Sequence, residues 1–323
     1  MLQSNDSSGL NNGEEPAAAS LQPMGFSDIL DNMFSLYRNH FRLFVTICSI
    51  YFICGFVVNL LIGCATVSAT GAGEFNMLML AVVTGILSLI NTVVMLLVIG
   101  GLVFVSAQVF LGKPITAGMA FKQTKRRFWS FFFSNLLYGI VVIALIVPNV
   151  ILLGLLVSGI WRSLATILVV GIISIIAALF VGVCWIFCSQ AAVFEEKSAV
   201  RALKRSNELV KGGWWRVFGM MIGIFLLVFF VQSILQFSLL FVLGLSQTMG
   251  GDGNSLEMLR QMFIPQLTTW DEFIAYSIRN FVGLAITSLM LPVGIIGATM
   301  VYFDQRIRKE GFDIEMRATS EPT

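Results

Sequence analysis

Charge is scarce in this chain of 323 residues. Asp, Glu, Lys and Arg make up 12% of it, about half the share in a soluble domain. There is one histidine, His40. No acidic or basic residue lies deep in a long apolar run, since Glu195 and Arg279 sit near run ends. These absences weigh against several chemistries. Proton-coupled pumps keep acidic or histidine relays inside the bilayer. Metal-dependent hydrolysis needs His and carboxylate ligands. Intramembrane aspartyl proteolysis needs two buried Asp residues. A serine nucleophile could draw only on His40, at the end of a predicted helix. No Walker-type phosphate loop occurs, and Gly250-Gly251-Asp252-Gly253 reads as a turn. No metal, cofactor or nucleic-acid partner is expected.

Cysteine is also sparse. Cys48, Cys54, Cys64, Cys184 and Cys188 all fall within or at the ends of apolar runs, so no disulfide framework is expected. Cys184 and Cys188 are four apart, which predicts one shared helix face. Two thiols do not complete a tetrahedral metal site, so they read as packing residues.

Apolar residues are abundant, at 57% of the chain. They gather in six runs, at about 41–64, 77–111, 128–156, 164–194, 214–245 and 273–303. Crossing a bilayer takes about 20 apolar residues in a helix. The predicted fold is therefore all-α: a polytopic membrane protein with six transmembrane helices. Pro148 and Pro292 fall inside spans three and six, where each should kink its helix. Gly219-x-x-x-Gly223 in span five predicts a close helix contact. Asn59, Asn91, Gln108, Asn135, Asn149, Gln190, Gln232 and Gln236 need partners in lipid, and interhelical hydrogen bonds are expected to supply them.

The cations fix the orientation. Of 20 lysines and arginines, all but Arg162, Arg260 and Arg279 fall on the side shared by both termini. The positive-inside rule then places both termini in the cytoplasm. Residues 1–25 are polar, acidic and without an apolar core, so a disordered cytoplasmic tail is expected rather than a signal peptide. Residues 313–323 form a second short tail.

A threefold repeat runs beneath the spans. Phe41, Phe128 and Trp214 open the odd-numbered runs at intervals of 87 and 86 residues. Each is preceded by an amphipathic stretch with an i, i+3, i+4, i+7 stripe. Phe26, Ile29, Leu30, Met33, Phe34 and Tyr37 form the first, and Ala199, Ala202, Leu203, Leu209 and Val210 the third. Ser27, Thr116 and Ser198 are predicted N-caps, and Gly212-Gly213 should stop the third helix. The expected unit is an interfacial helix followed by a helical hairpin, at about 26–112, 113–197 and 198–312. The basic faces carry Lys125, Arg126, Arg127, Arg201, Lys204, Arg205, Lys211 and Arg216. Beside aromatic residues at a membrane boundary, they are candidate contacts for lipid headgroups, anionic ones included. A soluble linker helix packed on the bundle would show the same stripe.

The chain ends span six with Asp304-Gln305-Arg306-Ile307-Arg308-Lys309-Glu310-Gly311-Phe312-Asp313. Asp304–Arg308 and Arg306–Glu310 are i, i+4 pairs, and Gly311 suits a left-handed cap. This ending resembles that of bacterial proteins of the glycerophosphoryl diester phosphodiesterase membrane-domain-like family. So do Phe26-Ser27-Asp28-Ile29-Leu30-Asp31 with Leu36-Tyr37-Arg38-Asn39-His40-Phe41, and the stretch 199–218 with Asn207-Glu208-Leu209-Val210-Lys211-Gly212-Gly213-Trp214-Trp215. The resemblance implies a membrane bundle related to one found fused to a catalytic barrel. Only a short tail follows span six here, where such a barrel takes roughly 250 residues, so phosphodiesterase activity is not expected. Three functions compete. The first is a non-enzymatic module contacting lipid or a protein partner, a second copy included, at the cytoplasmic leaflet. The second is a transporter or channel for a small or amphiphilic solute. The third, an enzyme on lipid, could use only Glu195, Glu196, Glu208, Glu310 and Asp313.

Overall fold

A computed structural model describes residues 22–69, 74–158, 164–193, 195, 198–248 and 269–311. Most of both predicted tails, and most of the segment joining spans five and six, lie outside the described residues. The elements are α1 (Phe26–Asn39), α2 (Phe41–Ala69), α3 (Glu74–Phe110), α4 (Ala117–Val157), α5 (Leu164–Cys184), α6 (Cys188–Val193), α7 (Ala199–Val210), α8 (Trp214–Thr248) and α9 (Trp270–Glu310). No strand occurs among the described residues. Six helical stretches are long and apolar enough to cross a membrane, with α5 and α6 contributing one between them. The chain is an all-α, multi-pass membrane protein.

The apolar sequence explains what the spans expose. Ile172, Ile173, Ile176, Leu179 and Phe180 of α5 all face outward. A helix that is apolar all round must meet either protein or lipid, and here much of it meets lipid. Helices α4 and α9 have 41 residues each. At 1.5 Å per residue each is about 60 Å long, twice the hydrocarbon thickness. Each is therefore longer than the hydrocarbon layer it would cross.

Helix α9 is the hub. It packs on α1, α2, α3 and α8, while α3 links it to α4 and α4 carries α5 and α6. The core lies toward the end where α1, α7, the start of α8 and the finish of α9 meet. Ile29, Met33, Phe44, Ile47, Leu102, Leu209, Ile224, Ile296, Tyr302 and Phe303 are fully or almost fully buried there. Phe110 stacks on Phe303, with ring centres 5.0 Å apart. Gly100 lets α3 meet α4 closely, because a Cβ at that position would lie 2.5 Å from Cγ2 of Thr124.

Several local expectations change. The amphipathic stretch before span three is not a separate helix, because α4 runs unbroken from Ala117 through Phe128 to Val157. His40 interrupts the chain between α1 and α2, and Gly212, with φ of 84°, does so between α7 and α8. The sequence Lys125-Arg126-Arg127-Phe128 contains no such breaker. Cys184 and Cys188 do not share a helix face, because a turn at 185–187 separates α5 from α6. Both are buried free thiols.

Three polar residues of the spans donate within their own helix, while Asn91 Oδ1, Asn149 Oδ1 and Gln190 Oε1 are buried with no hydrogen-bond partner among the described residues. Asn59, Asn135 and Asn149 donate to carbonyls four residues back, at 2.7–2.9 Å. Gln232 does bridge helices, donating to Thr287 Oγ1 at 3.1 Å. Gly223 faces the ring of Phe26 in α1, and nothing lies within 4 Å of a Cβ on Gly219. That pair therefore does not form the expected close contact between spans. Gly25, not Ser27, is the N-cap of α1, and Asp28 Oδ2 accepts its N–H at 2.7 Å. Thr116 and Ser198 stand at the expected cap positions but make no side-chain cap bond.

Candidate functional site: a basic cleft beside a neutralised hub

The two amphipathic helices with breaks bury their apolar stripes in protein. Ile29 and Met33 of α1 are buried, as are Ala202, Leu203, Leu209 and Val210 of α7. The α7 stripe is thus largely covered by the bundle, whereas α1 buries Ile29 and Met33 and leaves Phe26 and Phe34 of its stripe exposed. Beside these apolar side chains and Val200, each helix presents its polar face outward.

The end of α9 gathers the surrounding charges. The carboxylate of Asp304 is fully buried. It accepts the Met24 N–H at 2.9 Å, Arg308 Nε at 2.9 Å and Arg216 Nη2 at 3.3 Å. Arg216 and Arg308 also donate to the Met24 carbonyl, at 2.8 and 3.1 Å. One acidic side chain thereby ties together the approach to α1, the first turn of α8 and the tip of α9. The other predicted i, i+4 pair also forms, with Arg306 Nε 3.2 Å from Glu310 Oε2. Gly311 is left-handed, with φ of 62°.

A second cluster holds α7. Arg205 donates to Glu195 at 2.9 Å and to Glu310 at 2.7 Å. Tyr302 donates to Glu195, and Lys309 donates to the carbonyls of Glu208 and Lys211. Burial disfavours the charged form of Arg205, but the hydrogen bonds it donates to Glu310 and Glu195, with their negative charges, outweigh it and raise the guanidinium pKa. Among the carboxylates considered for chemistry, Glu195 and Glu310 thus converge on Arg205. Glu196 and Asp313 lie outside the described residues.

The predicted headgroup contacts therefore divide. Arg205 and Arg216 are bound to carboxylates of this same chain. Arg201 donates to Ser198 Oγ at 2.8 Å and stays exposed, and Lys204 and Lys211 are exposed. Arg127 is half-buried. Lys125 and Arg126 are exposed and line a cleft of about 630 Å³ between the end of α3 and the start of α4.

That cleft has two chemically distinct walls. Met119, Lys122 and Arg126 fall at i, i+3 and i+7 along one face of α4. Phe104 and Gln108 of α3 and Ile115 of the connecting turn complete the lining with Gln123, Lys125 and Pro114. No carboxylate lines it. Lys122, Lys125 and Arg126 have no acidic partner among the described residues. The N-terminus of α4 adds its positive dipole end to theirs. Trp129, one turn beyond Lys125, is 66% exposed, as suits an aromatic side chain at a membrane boundary. Lys122 lies on the same basic face but is not among the headgroup contacts expected from sequence. Its spacing with Met119 and Arg126 was the available signal, but the facing wall comes from a different span.

A second groove, of about 460 Å³, is lined by Asp28, Asn32, Ser35 and His40 of the α1 region and by Phe110 and Met300. It carries a carboxylate and no lysine or arginine, so it does not share the anion preference of the first. No family model, no curated protein and no solved structure matches this chain.

Proposed function

We propose that this protein is a non-enzymatic membrane module that engages anionic phospholipid at the cytoplasmic leaflet of a bacterial inner membrane. The observation that carries this reading is the unequal treatment of its cations. Arg205, Arg216, Arg306 and Arg308 are neutralised internally. Lys122, Lys125, Arg126, Lys204 and Lys211 are exposed, with no acidic partner among the described residues. Each such cation near an anionic leaflet contributes about 1 kcal/mol of attraction. The exposed Trp129 and Trp215 are suited to the same boundary. The motif resemblance supports the same placement, beside the membrane part of the glycerophosphoryl diester phosphodiesterase group and apart from its catalytic part.

The test is a comparison of the purified chain in nanodiscs of phosphatidylcholine and of phosphatidylcholine with phosphatidylglycerol. The anionic discs should raise its melting temperature. Equal melting in both would remove the basis for this function. A transporter reading lacks a comparable observation: the cleft sits at one end of the bundle, beside the start of α4, and not at a midplane junction of repeats.

A further inference from the structure

We infer that the cleft between α3 and α4 is a specific site for one anionic phospholipid, with its phosphate held by Lys122, Lys125 and Arg126. The inference rests on the lipid reading above and narrows it from a general surface attraction to a single pocket. Three features of the cleft select this ligand class. The first is charge: three cations with no acidic partner among the described residues converge on one volume, and the dipole of α4 has the same sign. The second is polarity, because Gln108 can hydrogen-bond a glycerol or ester oxygen, while Phe104, Ile115 and Met119 supply an apolar wall. The third is depth. The cations belong to the turns of α4 just before Phe128 and Trp129, where the apolar run begins. A phosphate at Lys122 and Arg126 therefore lies at the headgroup level, and acyl chains can pass directly into the hydrocarbon. About 630 Å³ accommodates a headgroup with its glycerol and the first methylenes, leaving the rest of the chains in the bilayer. A free soluble phosphate ester would satisfy the charge but leave the apolar wall wet, so the site is assigned to a lipid.

The experiment uses the full chain purified in mild detergent after extraction from membranes containing phosphatidylglycerol, with retained lipid measured by native mass spectrometry. The wild-type chain should retain one phosphatidylglycerol. The double variant Lys122→Gln/Arg126→Gln should bind added phosphatidylglycerol about thirtyfold more weakly. The charge-matched Arg38→Gln/Arg42→Gln should retain the lipid like the wild type. Met119→Trp keeps every cation but fills the apolar side, and it should also lose the lipid. Lys122→Arg/Lys125→Arg should retain it, which guards against loss through misfolding. Equal losses in the two charge-matched doubles would overturn the pocket while leaving general leaflet attraction intact. Competition by glycerol 1-phosphate as effective as by phosphatidylglycerol would overturn the lipid assignment. Wild-type melting that ignores phosphatidylglycerol in nanodiscs would defeat the broader function as well, so the two failures are separable.

Discussion

The carboxylate of Asp304 accepts the backbone N–H of Met24 at 2.9 Å, across 280 positions of sequence. That bond joins the residue that leads into the first helix to the last turns of the final one. It explains why an aspartate can be fully buried here: Arg308, Arg216 and a backbone donor share its charge. A buried carboxylate without such partners would cost several kcal/mol.

Asp304→Asn keeps the side-chain volume and removes the charge that four donors serve, Gln305 Nε2 at 3.3 Å included. The expected loss is about 2 kcal/mol, since bonds to a charged group exceed neutral ones but two of the donors are partly hydrated. Arg216→Gln should cost less, because its side chain is 39% exposed and Arg308 continues to serve the aspartate. Thermal melts in detergent rank the two, and the reverse order would mean that Asp304 is not the centre of the cluster.

Arg205→Gln should loosen α7 from the tip of α9, leaving the bonds of Lys309 in place. It removes the bonds at 2.9 Å to Glu195 and 2.7 Å to Glu310. Hydrogen exchange should then accelerate across Ala199–Val210 while that of α1 stays unchanged. Unchanged protection in α7 would show that its buried apolar face and the bonds of Lys309 and Ser206 hold it without Arg205.

Two glycines of α3 should respond in opposite ways to alanine. At Gly100 a Cβ meets Cγ2 of the buried Thr124 at 2.5 Å, and Gly85 has nothing within 4 Å. Overpacking at Gly100 should cost about 1–3 kcal/mol. Gly85→Ala should be neutral or should gain up to about 1 kcal/mol from helix propensity. Melting temperatures of the two variants in one detergent decide it.

Lys204→Cys, labelled in whole cells with an impermeant maleimide, should react only after the cytoplasmic membrane is opened. Trp270→Cys, at the opposite end of the bundle, should react in intact cells. Swapped reactivity would invert the assigned orientation and take the leaflet assignment with it.

The long apolar runs made the spans legible from sequence, because their lengths leave few alternatives. The pairs Asp304–Arg308 and Arg306–Glu310 were legible too, since i, i+4 spacing is a local property of a helix. Which cations stay available was not. Arg216 and Arg205 look like Lys125 and Arg126 in the sequence, and what separates them is distant. The Asp304 that holds Arg216 lies 88 positions away, and the Glu310 that holds Arg205 lies 105 away. The cleft was half legible: its α4 face shows helical spacing, but Phe104 and Gln108 come from the preceding span. The missing joint at Phe128 had a visible cause, as no glycine or proline stands between Ala120 and Tyr138. The repeat pattern nevertheless favoured a break there.

That missing joint gives α4 a property that α1 and α7 lack. It is one unbroken helix, so its cationic first turns and the apolar run that follows share an axis as far as Pro148. A hinge at His40 or Gly212 lets a surface segment shift without disturbing the span that follows. No hinge separates Arg126 from Phe131, so a force applied at Arg126 is transmitted to the start of the apolar run as a tilt of the helix axis.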